Sequence, residues 1–211
     1  SYSVTGVQTC ALPISGTSVE TVNLFSQPEL DGRLVWMGDI DYSFETTGAT
    51  AAIGEQNTVA DYGTTRLVVS FDVSSIPANA AIKSATLKLY QTADSAGDSY
   101  RGTDNPVLVS NVRYDGETTA AALFGSMTTG YDIGIGPLSP SFEPSTWRTI
   151  SVLDSAVAEL TEIHSGRLQF RIFHQYENDT DGSEDQDFWM LGDAGGAQAA
   201  YRPTLTLSYT H

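Results

Sequence analysis

The chain has 211 residues, 40% apolar and 17% charged, with 26 Asp and Glu against 10 Lys and Arg for a formal charge of −16. The apolar share suffices for a sizeable core in one all-β domain. The acidic balance disfavours phosphate backbones and anionic lipid, so neither nucleic acid nor a membrane surface is an expected partner.

At the start, Val4–Ile14 reads VTGVQTCALPI, which resembles the conceptual translation of a sequencing-library adapter. Residues 1–14 are therefore expected to be non-native, from shotgun metagenomic reads, with the true N-terminus missing. Residues 15–211 form one expected domain. Cys10, the single cysteine, lies inside the adapter-like stretch. Without it there are no disulfides, thiolate metal sites or cysteine nucleophiles. No apolar run reaches the roughly 18 residues of a membrane-spanning helix.

The pattern that follows is one of short strands and turn-rich loops. RLVVSFDV (66–73) sets Leu67, Val69, Phe71 and Val73 on one face. After a turn carrying Pro77 and Asn79, KSATLKLYQ (83–91) sets Ala85, Leu87 and Leu89 on one face against Thr86 and Lys88. PVLVSNVRY (106–114), RLQFRIFHQY (167–176) and PTLTLSY (203–209) alternate in the same way. A period of two predicts half-buried antiparallel strands. The Gly- and Pro-rich stretch 125–144 reads as a long loop. One helix is predicted over 151–164, from the spacing of Leu153, Val157, Leu160 and Ile163. Ser151 and Asp154 would cap its start, and Gly166 would supply the left-handed stop. The expected fold is all-β: a jelly-roll-like antiparallel β-sandwich with one short α-helix.

Three segments carry a family resemblance. They are TTRLVVSFDVSSIPANAAIKSATLKLYQ, Trp147 with ISVLDSAVAEL, and RLQFRIFHQYENDTDGSEDQDFWMLGDAGGAQAAYRPTLTLSY. Together they resemble the DNRLRE-type secreted β-sandwich domains, the group that includes carbohydrate-binding module family 96. The resemblance implies a secreted or cell-surface location and a monomeric module of a larger exported bacterial protein. It implies polysaccharide as the partner, no catalytic residues, and a structural role for Trp147.

Calcium is the one cofactor the acids suggest, with a solvated acidic loop as the alternative reading of the same residues. Asp179, Asp181, Glu184, Asp185 and Asp187 crowd hard oxygen ligands around Gly182, and Asp39 and Asp41 offer a second pair. The same acids lack the order that a glycosidase carboxylate pair needs. His164, His174 and His211 form no triad or metal set, and Arg171, His174, Gln175 and Tyr176 lack the order of a lyase motif. Sugar binding needs flat rings that stack on pyranoses, and Trp36, Tyr42, Tyr100, Tyr176 and Trp189 are the candidates. Arg101 adds a planar donor beside Tyr100. The leading expectation is non-catalytic carbohydrate binding. A structural spacer or adhesin module is the alternative, with a polysaccharide lyase or hydrolase third.

Overall fold

The computed structural model describes residues 18–37, 41–46, 50–58, 61–94, 107–112, 120–121, 134–137, 145–152, 157–158, 160–161, 166–174, 185–190 and 199–211. Among them are twelve strands: β1 Val19–Phe25, β2 Gly32–Met37, β3 Asp41–Glu45, β4 Thr50–Thr58, β5 Asp61–Asp72, β6 Ala81–Asp94, β7 Val107–Val112, β8 Gly134–Pro137, β9 Thr146–Ser151, β10 Arg167–His174, β11 Asp185–Met190 and β12 Thr204–Thr210. All pairings are antiparallel.

Hydrogen bonding links the strands into one continuous sheet that folds over into two leaves, and the long strands β5 and β6 cause the fold. Along one edge of β6, β12 pairs with residues 81–88 and β11 takes over at 90–94, while β9 occupies the opposite edge. Along one edge of β5, β4 pairs with 61–65 and β10 takes over at 67–72, with β2 opposite. Where the partner changes, the sheet parts. The first leaf is β1-β12-β6-β9, the second is β3-β2-β5-β10-β7-β8, and β4 with β11 joins them at one end. This is the expected antiparallel β-sandwich.

The inward positions of both leaves form the core. Leu87, Leu89, Ile150, Leu205 and Leu207 from the first leaf meet Leu67, Val69, Phe71, Leu168, Phe170 and Ile172 from the second in one cluster. The Pro77 turn is present: Asp72 Oδ1 accepts the Ser74 N–H at 2.8 Å, and the Ala80 N–H donates to the Pro77 carbonyl at 2.8 Å.

Three expectations need correction. First, the central strands β5 and β10 of the second leaf are buried on both faces. Arg66, Ser70, Gln169 and Arg171, on the side expected to meet water, are all buried. Gln169 Nε2 donates to Ser70 Oγ at 2.9 Å, and Arg171 Nη2 donates to Ser110 Oγ at 3.1 Å. Both guanidinium groups stand about one ring's breadth from Phe173, at 5.2 Å for Arg66 and 5.0 Å for Arg171. Leu34, Val68 and Val112 form a second cluster there, against Phe44 and Ala120. Second, Ser151 does not open a helix. It ends β9 opposite Thr86, because the outward-inward alternation of TWRTIS runs through it. The helical residues described are Val157, Ala158, Leu160 and Thr161, with Val157 and Leu160 in the core. The Thr161 hydroxyl accepts the Ile82 N–H at 3.0 Å, docking this turn on β6. Asp154 lies outside the described residues, whereas Gly166 has the expected left-handed backbone, at φ 92°. Third, part of the expected 125–144 loop is strand: Gly134–Pro137 pairs with β7.

Candidate functional site

The first leaf turns its outer face to solvent. On β6 the outward positions are Thr86, Lys88 and Tyr90. On β9, Trp147 lies opposite Tyr90 and Thr149 opposite Lys88. On β12, Thr204 and Thr206 lie opposite Lys88 and Thr86. Asn23 and Phe25 of β1 follow beyond. Most of this face is paved with hydroxyls, and Thr206 Oγ1 donates to Asn23 Oδ1 at 2.6 Å.

At one end the paving gives way to rings. Tyr90 packs edge-on against Trp147 at 5.2 Å and lies 4.4 Å from Tyr201, which is 6.4 Å from Trp147. Tyr201 belongs to a 3-10 turn, Ala199–Tyr201, that leads into β12. All three rings are half-buried. The Lys88 ammonium stands 4.7 Å from the Trp147 centroid. Arg202 lies over the exposed Phe25 ring at 5.7 Å. From Phe25 through Thr204 and Lys88 to Thr149 the face crosses three strand spacings, about 14 Å. Such half-exposed aromatics keep a polar tip in water and leave part of an apolar ring face uncovered.

The sequence pattern does not single out this cluster: the family resemblance gives Trp147 a structural role, and Tyr90 and Tyr201 are not among the expected sugar-binding residues. Parity held the signal: Tyr90 shares the solvent side of KLY with Lys88, and Trp147 shares its side with Thr149.

Of the expected sugar-binding residues, Trp36 and Tyr42 are brought together as cross-strand partners on β2 and β3. Tyr42 is exposed and Trp36 half-buried. Trp189 lies on β11, opposite Ala51 and Gln91. Tyr100, Arg101 and Tyr176 lie outside the described residues. Of the expected calcium ligands, Asp41 opens β3 opposite Met37, Asp185 stands opposite Glu55, and Asp187 stands opposite Ile53 and Asp94. Asp41 and Asp185 share one end of the sandwich, with β2, β5 and β4 between them. Asp39, Asp179, Asp181 and Glu184 lie outside the described residues. Among those described, no three His, Cys, Asp or Glu side chains form a metal-holding group, and no helix is long and apolar enough to cross a membrane.

His174 is buried on β10, on the inward side it shares with Ile172. Arg171 is fully buried on the opposite side of the same strand. Gln175 lies outside the described residues, as do Tyr176 and His164. His211 is at the exposed C-terminus, 3.8 Å from Glu20. No protein-family model matches this chain, and no curated protein matches it either.

Proposed function

We propose that this domain is a non-catalytic carbohydrate-binding module of an exported, multidomain bacterial protein, and that it binds through Tyr90, Trp147 and Tyr201. The carrying observation is that these three rings touch one another on the outer face of the first leaf, half in water. Alternating strands place small hydroxyl residues on the rest of that face. A ring cluster there holds apolar surface ready for the C–H face of a sugar, with Thr and Asn hydroxyls and amides beside it as hydroxyl partners. The three-segment resemblance to the DNRLRE-type domains supports the same reading.

The test is retention on a panel of insoluble and soluble polysaccharides, by pull-down and affinity electrophoresis. Trp147→Ala should weaken retention at least about tenfold, equivalent to about 1.4 kcal/mol. Trp147 is half-buried and outside the core cluster, and its ring contact with Tyr90 adds only about 0.5–1.5 kcal/mol beyond the area it covers, so the variant should stay folded. Equal retention of the two proteins would remove the site. No retention across neutral and acidic glycans would favour the spacer module instead. No new reducing ends or unsaturated products are expected from any polymer.

Calcium belongs to the same proposal. The register of β11 sets Asp185 and Asp187 across from Glu55 and Asp94, and like charges directly opposed disfavour a strand pair. An ion bound only by the folded state at 100 times its dissociation constant would add about 2.7 kcal/mol. Calcium should therefore raise the melting temperature beyond a sodium chloride control of equal ionic strength, and Asp187→Ala should remove most of the rise. Equal shifts with both salts would mean charge screening alone.

A further inference from the structure

The turn between β1 and β2 is closed by buried polar groups beside the aromatic face. The Ser26 N–H donates to the Pro203 carbonyl at 2.9 Å, and the Gln27 N–H donates to the Ser70 carbonyl at 2.8 Å. The Asp31 N–H donates back to the Gln27 carbonyl at 2.9 Å. Asp31 itself is 1% exposed, and its Oδ1 accepts the Ser70 N–H at 2.8 Å. Arg202, next to Tyr201, donates from Nη2 to the Ser26 carbonyl. Asp31 Oδ2, Ser26 Oγ, Gln27 Oε1 and Arg202 Nε are buried without an aligned hydrogen-bond partner among the described residues.

This inventory suits a neutral carboxyl better than a charged one. Asp31 Oδ2 has no aligned partner among the described residues while Arg202 donates to the Ser26 carbonyl. A carboxylate buried with one oxygen unpaired is costly as an anion, whereas the neutral acid has an O–H to donate. Burial is the largest influence on Asp31 and pushes its pKa up to about 7. The Ser26 hydroxyl, the Ser70 N–H and the Arg202 guanidinium only partly offset this, and Glu29 adds to the rise. Glu29 on the turn and Arg202 ahead of β12 are the charged groups that reach it; β5 presents Ser70.

We propose that Asp31 is a proton-operated latch, whose ionisation changes the hold of the 26–31 turn on Arg202 and so on the adjoining Tyr201 edge of the aromatic face. Protonated Asp31 leaves Arg202 on the Ser26 carbonyl. Ionised Asp31 competes for the same guanidinium and pulls on the segment that carries Tyr201. The part that concerns ligand control rests on the sugar-binding reading; the latch does not.

The direction with pH follows from linkage. Folding raises this acid's pKa, so between about pH 4 and 7 the folded state holds a proton that the unfolded chain has lost. The stabilisation is full below about pH 4, is lost as pH rises through about 7, and is flat above. The experiment uses ligand-free protein, titrated from pH 4 to 9 by intrinsic fluorescence and by the denaturant midpoint of unfolding. A fluorescence step near pH 7 and a midpoint falling up to the same pH are expected. Trp147→Phe should remove the fluorescence step alone. Asp31→Asn should abolish both, and Glu29→Gln, an exposed change that folds in any case, should move both to lower pH. No fluorescence step near pH 7 in the unmodified protein, or a step that persists in Asp31→Asn, would overturn the latch. A step in the free protein without any polysaccharide binding would uphold the latch and reject the sugar-binding reading. Binding whose pH dependence ignores Asp31→Asn would reject the coupling.

Discussion

Phe170→Ala should lower the free energy of unfolding by about 3–5 kcal/mol, the usual cost of deleting a large ring from a close-packed core. Phe170 has no exposed surface, and its ring meets Phe71 of β5 at 5.9 Å with a 59° tilt. It faces inward between β5 and β7, opposite Val69 and Asn111. The strands on either side are tied by ladder hydrogen bonds, so they cannot collapse into the void. Against a typical total stability of about 5–15 kcal/mol, this is a large share. Urea denaturation at fixed pH measures it. Val19→Ala, on a residue 65% exposed, should stay within about 0.5 kcal/mol. A loss below 1 kcal/mol at Phe170 would mean that the two leaves do not share this core.

The parts of the fold legible in the sequence are those governed by one rule. In RLVVSFDV and KSATLKLY a hydrophobic side alternates with another, and both are strands. What lies on the second side was not legible. Thr86 and Lys88 do face solvent, yet Arg66, Ser70, Gln169 and Arg171 are buried by residues distant in sequence, and polarity alone cannot reveal such a cover. Ser151 could serve equally as a helix cap or a strand end, and strand pairing with Thr86 decided between them. Gly134–Pro137 carries no alternation at all, so only its bonding to β7 reveals it.

Residues of the site were hidden for a different reason. Trp147, Tyr90 and Tyr201 come from three separate segments, and only the β6–β9 pairing and the 3-10 turn bring them together. Trp36 and Tyr42, by contrast, meet across one short hairpin, where proximity in sequence already points to proximity in space. Asp31 reads as an ordinary turn residue in QPELDG. Its burial arises from β5 and from Arg202, and neither is near it in sequence.

Gly32→Ala should destabilise the protein by about 1–3 kcal/mol, through overpacking and not through backbone conformation. Gly32 opens β2 opposite Val68, where β3 passes close by. A methyl group there would run into the Glu45 carbonyl oxygen and stand 2.8 Å from the edge of the Phe44 ring. A carbonyl held in a strand cannot rotate aside, so β3 itself must move. Phe44 would then lose its packing on Leu34, Val68 and Val112, and the Trp36–Tyr42 pairing farther along would loosen with it. The Arg33–Glu45 ion pair at 2.7 Å cannot hold the hairpin, because both side chains are substantially exposed and such pairs contribute little. Gly166→Ala is the control. Its added methyl meets nothing within 4 Å, and its cost of about 1–2 kcal/mol comes from the left-handed backbone alone. Amide hydrogen exchange separates the two, since Gly32→Ala should speed exchange across β3 while Gly166→Ala leaves β3 unchanged. Slow exchange at β3 in Gly32→Ala, with stability intact, would mean that the hairpin does not lie as closely on β2 as these contacts require.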